Sequence, residues 1–89
     1  MESVIFLHSK GADKRRDILK ILYYQSQNKE MHCITCLAKK FKVSKVTMKE
    51  TIDGLIKLMY IEKINPLGKP IFLKLTEKGL VTAKKYLLY

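Results

Sequence analysis

Leu37-Ala38-Lys39-Lys40-Phe41-Lys42-Val43-Ser44-Lys45-Val46-Thr47-Met48 reads as the end of one helix, a tight joint and the start of another. Leu37, Ala38 and Phe41 are apolar at helical spacing, which predicts a short helix from Ile34 to Phe41. Ser44 suits an N-cap, because its hydroxyl accepts one of the N–H groups that a first turn leaves unpaired. The helix it opens is expected to run to about Leu58, since Met48, Ile52 and Leu55 fall at i, i+4 and i+7. That spacing gives one buried face and an opposite face of Lys45, Lys49, Glu50 and Asp53.

Working outward, Tyr60 to Asn65 and Ile71 to Leu75 are strand-like runs on either side of Pro66-Leu67-Gly68-Lys69-Pro70, a turn-rich tip, and together they predict a hairpin. In the second run Ile71, Leu73 and Leu75 alternate with Phe72 and Lys74, as in a half-buried strand. Thr76 then caps a last helix with Leu80, Ala83 and Leu87 on one stripe and Tyr86 and Tyr89 beside it. Upstream, Asp13 lies in or beside the cap of a helix reaching about Gln27, with Ile18, Leu19 and Leu22 as its stripe, Ile21 widening it and a polar end from Gln25 to Lys29. Ser3 to Ser9 is a short apolar segment open to helix or strand, and Gly11, which suits a C-terminal cap, favours helix. The fold class is mainly α with a small β-hairpin: a three-helix core, the hairpin and a C-terminal helix.

Eighty-nine residues suffice for one domain over 1–89 and not for two separate cores. Eighteen Lys and Arg against eight Asp and Glu give a formal charge of +10, more than solubility asks of a small domain. A polyanionic partner accounts for it, and nucleic acid is one, because lysines on phosphates release condensed counterions. A membrane surface would call for one basic amphipathic helix, whereas here the bases run through the chain and cluster locally at Lys39, Lys40, Lys42, Lys45 and Lys49. No run approaches the roughly 18 to 20 apolar residues needed to span a bilayer, so a soluble, cytoplasmic protein is expected. His8 and His32 are far apart, the carboxylates form no evident pair and no Gly-rich phosphate loop is present, so neither an enzyme nor a bound cofactor is expected.

The order of these elements resembles a winged helix-turn-helix of the ArsR and MarR types. The run from Leu37 to Met48 is similar to the family pattern L-A-x-x-x-x-V-S-x-x-T-V, and Leu55 with Tyr60-Ile61-Glu62-Lys63 resembles its approach to the wing. Leu75-Thr76-Glu77-Lys78-Gly79 looks like L-T-x-x-G at the start of the last helix, and Gly11 to Leu22 is similar to the G-D-P-T-R-x-x-I-L helix of ArsR-type repressors. Lys42 and Met59 stand where such proteins most often carry glycine, at positions that need a left-handed backbone, a conformation costing an L residue about 1 kcal/mol.

The resemblance implies a transcriptional regulator that binds double-stranded DNA, with helix 45–58 in the major groove. The physical reason is that an α-helix fits that groove and its first turns reach the base edges. By position Ser44, Lys45, Val46, Thr47, Lys49 and Glu50 would face DNA. Lys45 and Lys49 suit phosphates or guanine, Thr47 a phosphate or a thymine methyl, Val46 a thymine methyl and Glu50 a cytosine amine. Lys39 and Lys42 add to the cluster, while Asn65 and Lys69 at the wing tip, with Lys63 and Lys74 on its flanks, would meet backbone or minor groove. The competing reading is a winged helix that contacts protein or RNA.

Two further expectations concern the ends and the cysteines. Ile5, Phe6, Tyr23, Tyr24, Leu80, Tyr86, Leu87 and Tyr89 are more apolar surface than a chain this short readily buries, so a homodimer through its N-terminal and C-terminal segments is expected. Cys33 and Cys36, preceded by His32, are two thiols at i and i+3 near a helix start, which opens a metal-sensing or a redox role. ArsR-type proteins carry metal-sensing cysteines in this region with C-x-C spacing, from which this pair departs. The remaining alternative is a pair of small buried or capping residues.

Overall fold

The computed structural model describes residues 6–7, 10–28, 32–65, 67–68 and 71–87. Its elements are α1 (Ala12–Asn28), β1 (His32–Cys33), α2 (Ile34–Phe41), α3 (Lys45–Lys57), β2 (Ile61–Lys63), β3 (Phe72–Leu75) and α4 (Glu77–Leu87). The architecture is mainly α with a small sheet. Among the described residues no helix is long and apolar enough to cross a membrane.

Helices α1, α2 and α3 bury the stripes that their spacing marks out, whereas of the stripe expected in α4 Ala83 is buried, Leu80 is half-buried and the Leu87 side chain lies outside the described residues. Ile18, Leu19 and Leu22 of α1, Leu37 and Ala38 of α2, and Met48, Ile52 and Leu55 of α3 meet in one cluster with Tyr60, Ile61, Leu73, Ala83 and Tyr86. Burying a side chain of this size stabilises a fold by ~1.5–3 kcal/mol, so this cluster outweighs any polar contact on the surface. Ile21 and Phe41 are half-buried against it.

Both helices flanking the joint end in the same hydrogen-bonded motif. At the end of α2 the Lys42 N–H donates to the Lys39 carbonyl at 3.2 Å and the Val43 N–H to the Ala38 carbonyl at 3.0 Å. At the end of α3 the Met59 N–H donates to the Ile56 carbonyl and the Tyr60 N–H to the Leu55 carbonyl, both at 2.9 Å. This pairing satisfies the last carbonyls and requires a left-handed residue at its centre. Lys42 (φ 57°) and Met59 (φ 70°) supply it without being glycine.

The hairpin pairs β2 with β3 antiparallel, Ile61 opposite Leu75 and Lys63 opposite Leu73. A third strand, not expected from the sequence, lies on the other side: β1 pairs with β3 with Cys33 opposite Phe72, giving the sheet order β1-β3-β2. Gln25, expected to belong to the polar end of α1, is instead buried within it. Its Nε2 donates to the Leu73 carbonyl at 2.6 Å and its Oε1 accepts from the His32 N–H at 2.6 Å, so one side chain joins α1 to two strands.

Thr76 caps α4, its Oγ1 accepting from the Gly79 N–H at 3.0 Å while its own hydroxyl proton goes to the Met59 carbonyl. At the other end of the chain Gly11 (φ 84°) supplies the carbonyl that accepts from the Arg15 N–H in the first turn of α1. Asp13 sits within that first turn, where it pairs with Arg16. Of the segment Ser3 to Ser9 only Phe6 and Leu7 lie within the described residues.

Two residues expected at a subunit interface belong to the core. Phe6 is fully buried, edge-on to Tyr60 with ring centroids 5.0 Å apart and 5.5 Å from Tyr86, which is also buried. The apolar content of the two ends is therefore partly spent inside this chain. Ile5 and Tyr89, and the side chain of Leu87, lie outside what is described.

Candidate nucleic-acid interface

The outward face of α3 follows from its inward one. With Met48, Ile52 and Leu55 fixed in the core, Lys45, Val46, Lys49, Glu50 and Asp53 have to point to solvent, and all of them are exposed. Val46 is 68% exposed, a β-branched apolar side chain left in water among charges. Burying it inside the chain would be worth ~1.5–3 kcal/mol, a gain the fold does not take.

Ser44 and Thr47 are exposed and bonded to each other. The Ser44 Oγ accepts from the Thr47 N–H at 3.1 Å and donates to Thr47 Oγ1 at 2.9 Å. Ser44 is thus the N-cap that its position implies, with an extended backbone (φ −69°, ψ 156°). Its hydroxyl serves the helix first.

The charges around this helix start do not match its dipole. A helix N-terminus favours anions by ~0.3–1 kcal/mol per charge, yet α3 has no acid in its first turn and carries Lys45 there. Lys39 and Lys40, in contrast, sit in the last turn of α2, where cations are favoured. Lys39, Lys42, Lys45 and Lys49 are exposed, and none of them makes an ion pair among the described residues. α2 packs on α3, so the lysine-bearing end of α2, the joint and the first turns of α3 follow one another along a continuous edge.

The hairpin presents a more balanced surface. Lys74 pairs with Glu62 at 3.2 Å across the β2–β3 ladder, both half-exposed. Lys63 is half-buried. Asn65 shapes the turn: its Oδ1 accepts from the Phe72 N–H at 2.8 Å and its backbone carbonyl from the Gly68 N–H at 2.8 Å. Lys69 lies outside the described residues.

The two thiols at the start of α2 are in direct contact. Cys33 is its N-cap, with its Sγ accepting from the Cys36 N–H at 3.2 Å and lying 2.6 Å from the Cys36 Sγ. Both cysteines are free; Cys33 is 3% exposed and Cys36 is exposed. Burial, and then the bond to Cys36, pushes the Cys33 thiol above its ordinary value. The hydrogen bonds with Cys33, the side-chain one first, and then Lys39 hold the Cys36 thiol below it. His32 turns its Nδ1 to the Gln25 Oε1 at 2.9 Å, and no group of three metal-ligating side chains forms among the described residues. The metal-sensing alternative on His32, Cys33 and Cys36 thus finds no assembled donor set there.

Gln25, the residue that ties the sheet to α1, could not be singled out from the sequence. A single glutamine in a polar helix end carries no signal of a long-range partner. The short strand β1 is hidden for a similar reason, since two residues cannot show an alternation.

No protein-family model matches the chain, and no curated protein matches it in sequence. Solved structures do match. The adhesin competence repressor AdcR of Streptococcus pyogenes superposes with a TM-score of 0.67 at 23% identity, over 82% of this chain and 52% of its own. AF1382 of Archaeoglobus fulgidus superposes with a TM-score of 0.75 at 24% identity, over 93% of this chain and 88% of its own. The heme sensor protein PefR of Streptococcus agalactiae, solved with heme, gives 0.78 at 16% identity over 98% of this chain and 58% of its own. The chain spans about half the length of several of these matches, Lactococcus lactis ZitR among them. Helix, short helix, joint, exposed-faced helix, hairpin and closing helix therefore form a winged helix-turn-helix, the fold expected from the resemblance to ArsR- and MarR-type proteins.

Proposed function

We propose that the chain is a sequence-specific binder of double-stranded DNA and acts as a transcriptional regulator, with α3 in the major groove and the wing against backbone or minor groove. The observation that carries this reading is the outward face of α3, where Lys45, Val46, Lys49 and Glu50 are all exposed and Lys45 opposes the helix dipole in a first turn without an acid. Phosphates in front of that helix end would reverse the sign of the interaction. Within this reading Lys45 and Lys49 take phosphates or guanine, Val46 a thymine methyl, Glu50 a cytosine amine, and Lys39 and Lys42 the flanking backbone. Ser44 and Thr47 hold the helix start, and the Thr47 hydroxyl, which accepts from Ser44, keeps its own proton to donate to a phosphate. On the wing Lys63 and Lys69 contribute charge, Lys74 shares its charge with Glu62, and Asn65 acts by shaping the turn.

Titration of labelled duplex at several salt concentrations tests it. Log affinity should fall steeply with log salt, by about 0.9 per phosphate neutralised. Lys45→Ala with Lys49→Ala should flatten that slope by about 2 if both lysines sit on phosphates. Absent or salt-insensitive binding would refute the reading in favour of a protein partner, and preference for single-stranded or hairpin RNA would redirect it to RNA.

A homodimer through the first and last elements fits the same function, because a two-fold pair reads two half-sites. Support comes from Tyr24, 54% exposed on α1, and Val81, 65% exposed on α4, two helices that pack together. Sedimentation should give twice the chain mass, and a single chain mass at high concentration removes the dimer.

A further inference from the structure

We infer that Cys33 and Cys36 form a reversible two-electron thiol–disulfide site, at which exposed Cys36 attacks a small-molecule disulfide and buried Cys33 closes an intramolecular bond. Such a site does not depend on whether the chain binds DNA.

Geometry supports it first. Cys33 is in extended backbone (φ −113°, ψ 169°), so its side chain curls over the first turn of α2 to reach the Cys36 N–H. The same curl brings the sulfurs to 2.6 Å. Disulfide sulfurs sit ~2.05 Å apart, so bonding asks for about half an ångström of movement, within the reach of side-chain rotation. The exposures then divide the roles. Cys36 meets solvent and a reagent, whereas Cys33 is reached only by its neighbour. Chemistry assigns the same roles, for the thiolate is the nucleophile, and Cys36 is the thiol whose charged form is favoured, by Cys33, by the helix N-terminus and by Lys39.

The electrons and protons balance. The Cys36 thiolate attacks one sulfur of RSSR, the S–S bond breaks and RS⁻ leaves, so that Cys36 carries a mixed disulfide. The Cys33 thiol gives its proton to that RS⁻ and its sulfur attacks the Cys36 sulfur. The second RS⁻ leaves and takes the proton that Cys36 had released to water. Two electrons pass from the protein dithiol to RSSR, which becomes two RSH. The bond staples the N-cap of α2 to its first turn, where strand β1 meets the helix pair.

The test treats the reduced chain with glutathione disulfide, quenches in acid and reads the intact mass. Wild type should lose two hydrogens per chain with no lasting adduct, and a dithiol reductant should restore them. Cys33→Ser should accumulate one glutathione on Cys36, because the attacking thiol remains and the resolving one is gone. Cys36→Ser should stay unmodified. Serine at 33 keeps an oxygen for the cap. If either variant does not fold, partial alkylation of wild type separates the two roles instead, with Cys36 labelled first. A lasting adduct on wild type, a disulfide joining two chains, or equal labelling of the two cysteines would overturn the proposal.

Discussion

Replacing Lys42 by glycine should make the protein more stable and, under the DNA reading proposed above, worse at holding DNA. Lys42 adopts φ 57° at the joint, in the left-handed region, as Met59 does at φ 70°. An L residue there costs ~1–2 kcal/mol from its Cβ against the carbonyl. Glycine removes that cost and adds ~0.5–1 kcal/mol of backbone freedom to be lost on folding. The net gain spans about 0–1.5 kcal/mol and centres near about 0.75 kcal/mol, which is about 3–6 °C in Tm for a domain of this size. Neither side chain is core: Lys42 is exposed and Met59 is 64% exposed. The two variants should therefore stabilise alike in thermal unfolding and part company in DNA titration. Lys42→Gly should lower affinity at low salt and reduce the salt slope by about 1, whereas Met59→Gly should leave both unchanged. Destabilisation by both glycines would refute the backbone argument. A Lys42→Gly protein with unaltered slope would refute the placement of the joint beside phosphates.

Gly79→Ala should destabilise by about 3 kcal/mol or prevent folding, because a Cβ at 79 would overlap the Tyr60 backbone carbonyl and neither backbone is free to yield; denaturant unfolding reads it, and a loss below about 1 kcal/mol contradicts the close approach. Gln25→Leu leaves the Leu73 carbonyl and the His32 N–H without this partner, and should cost about 2 kcal/mol in the same assay, with hydrogen exchange rising first in β1 and β3. Ser44→Ala should cost about 1 kcal/mol through loss of the α3 cap, and a loss under a few tenths would mean that the Thr47 N–H is satisfied otherwise.

What can be read from the sequence is whatever local chemistry repeats with a period or marks an end. Ser44 and Thr76 announce their helices because a hydroxyl before an amphipathic run has one good use. Met48, Ile52 and Leu55 fix the outward face of α3 as firmly as the inward one, so the candidate DNA residues follow from core spacing before any of them is considered. The left-handed positions at Lys42 and Met59 are legible only through the family pattern, since nothing intrinsic to lysine or methionine marks a positive φ. Long-range pairings leave no trace. Phe6 looks like spare apolar surface because its partners Tyr60 and Tyr86 lie far along the chain, and the part Asn65 plays in shaping the turn is hidden because its bond to the Phe72 N–H crosses that turn.

The joint and the helix after it contain two residues that stability alone would not select. A left-handed position is cheapest as glycine, and a first helical turn is best served by Asp or Glu; lysine occupies both, at 42 and at 45. The combined cost is of order 1–2 kcal/mol, a sizeable share of the total for a small domain. The first turns of α1 and α4 hold bases too, Lys14 and Arg15 in one and Lys78 in the other, but each also carries an acid, Asp13 and Glu77. The first turn of α2 carries neither sign. Helix α3 differs from all three in having a base there and no acid, at the end that faces the proposed groove. A row of phosphates in front of that end relieves the charge mismatch at Lys45 and gives Lys42 a counter-charge, so both departures have one physical cause under the DNA reading and two unrelated ones without it.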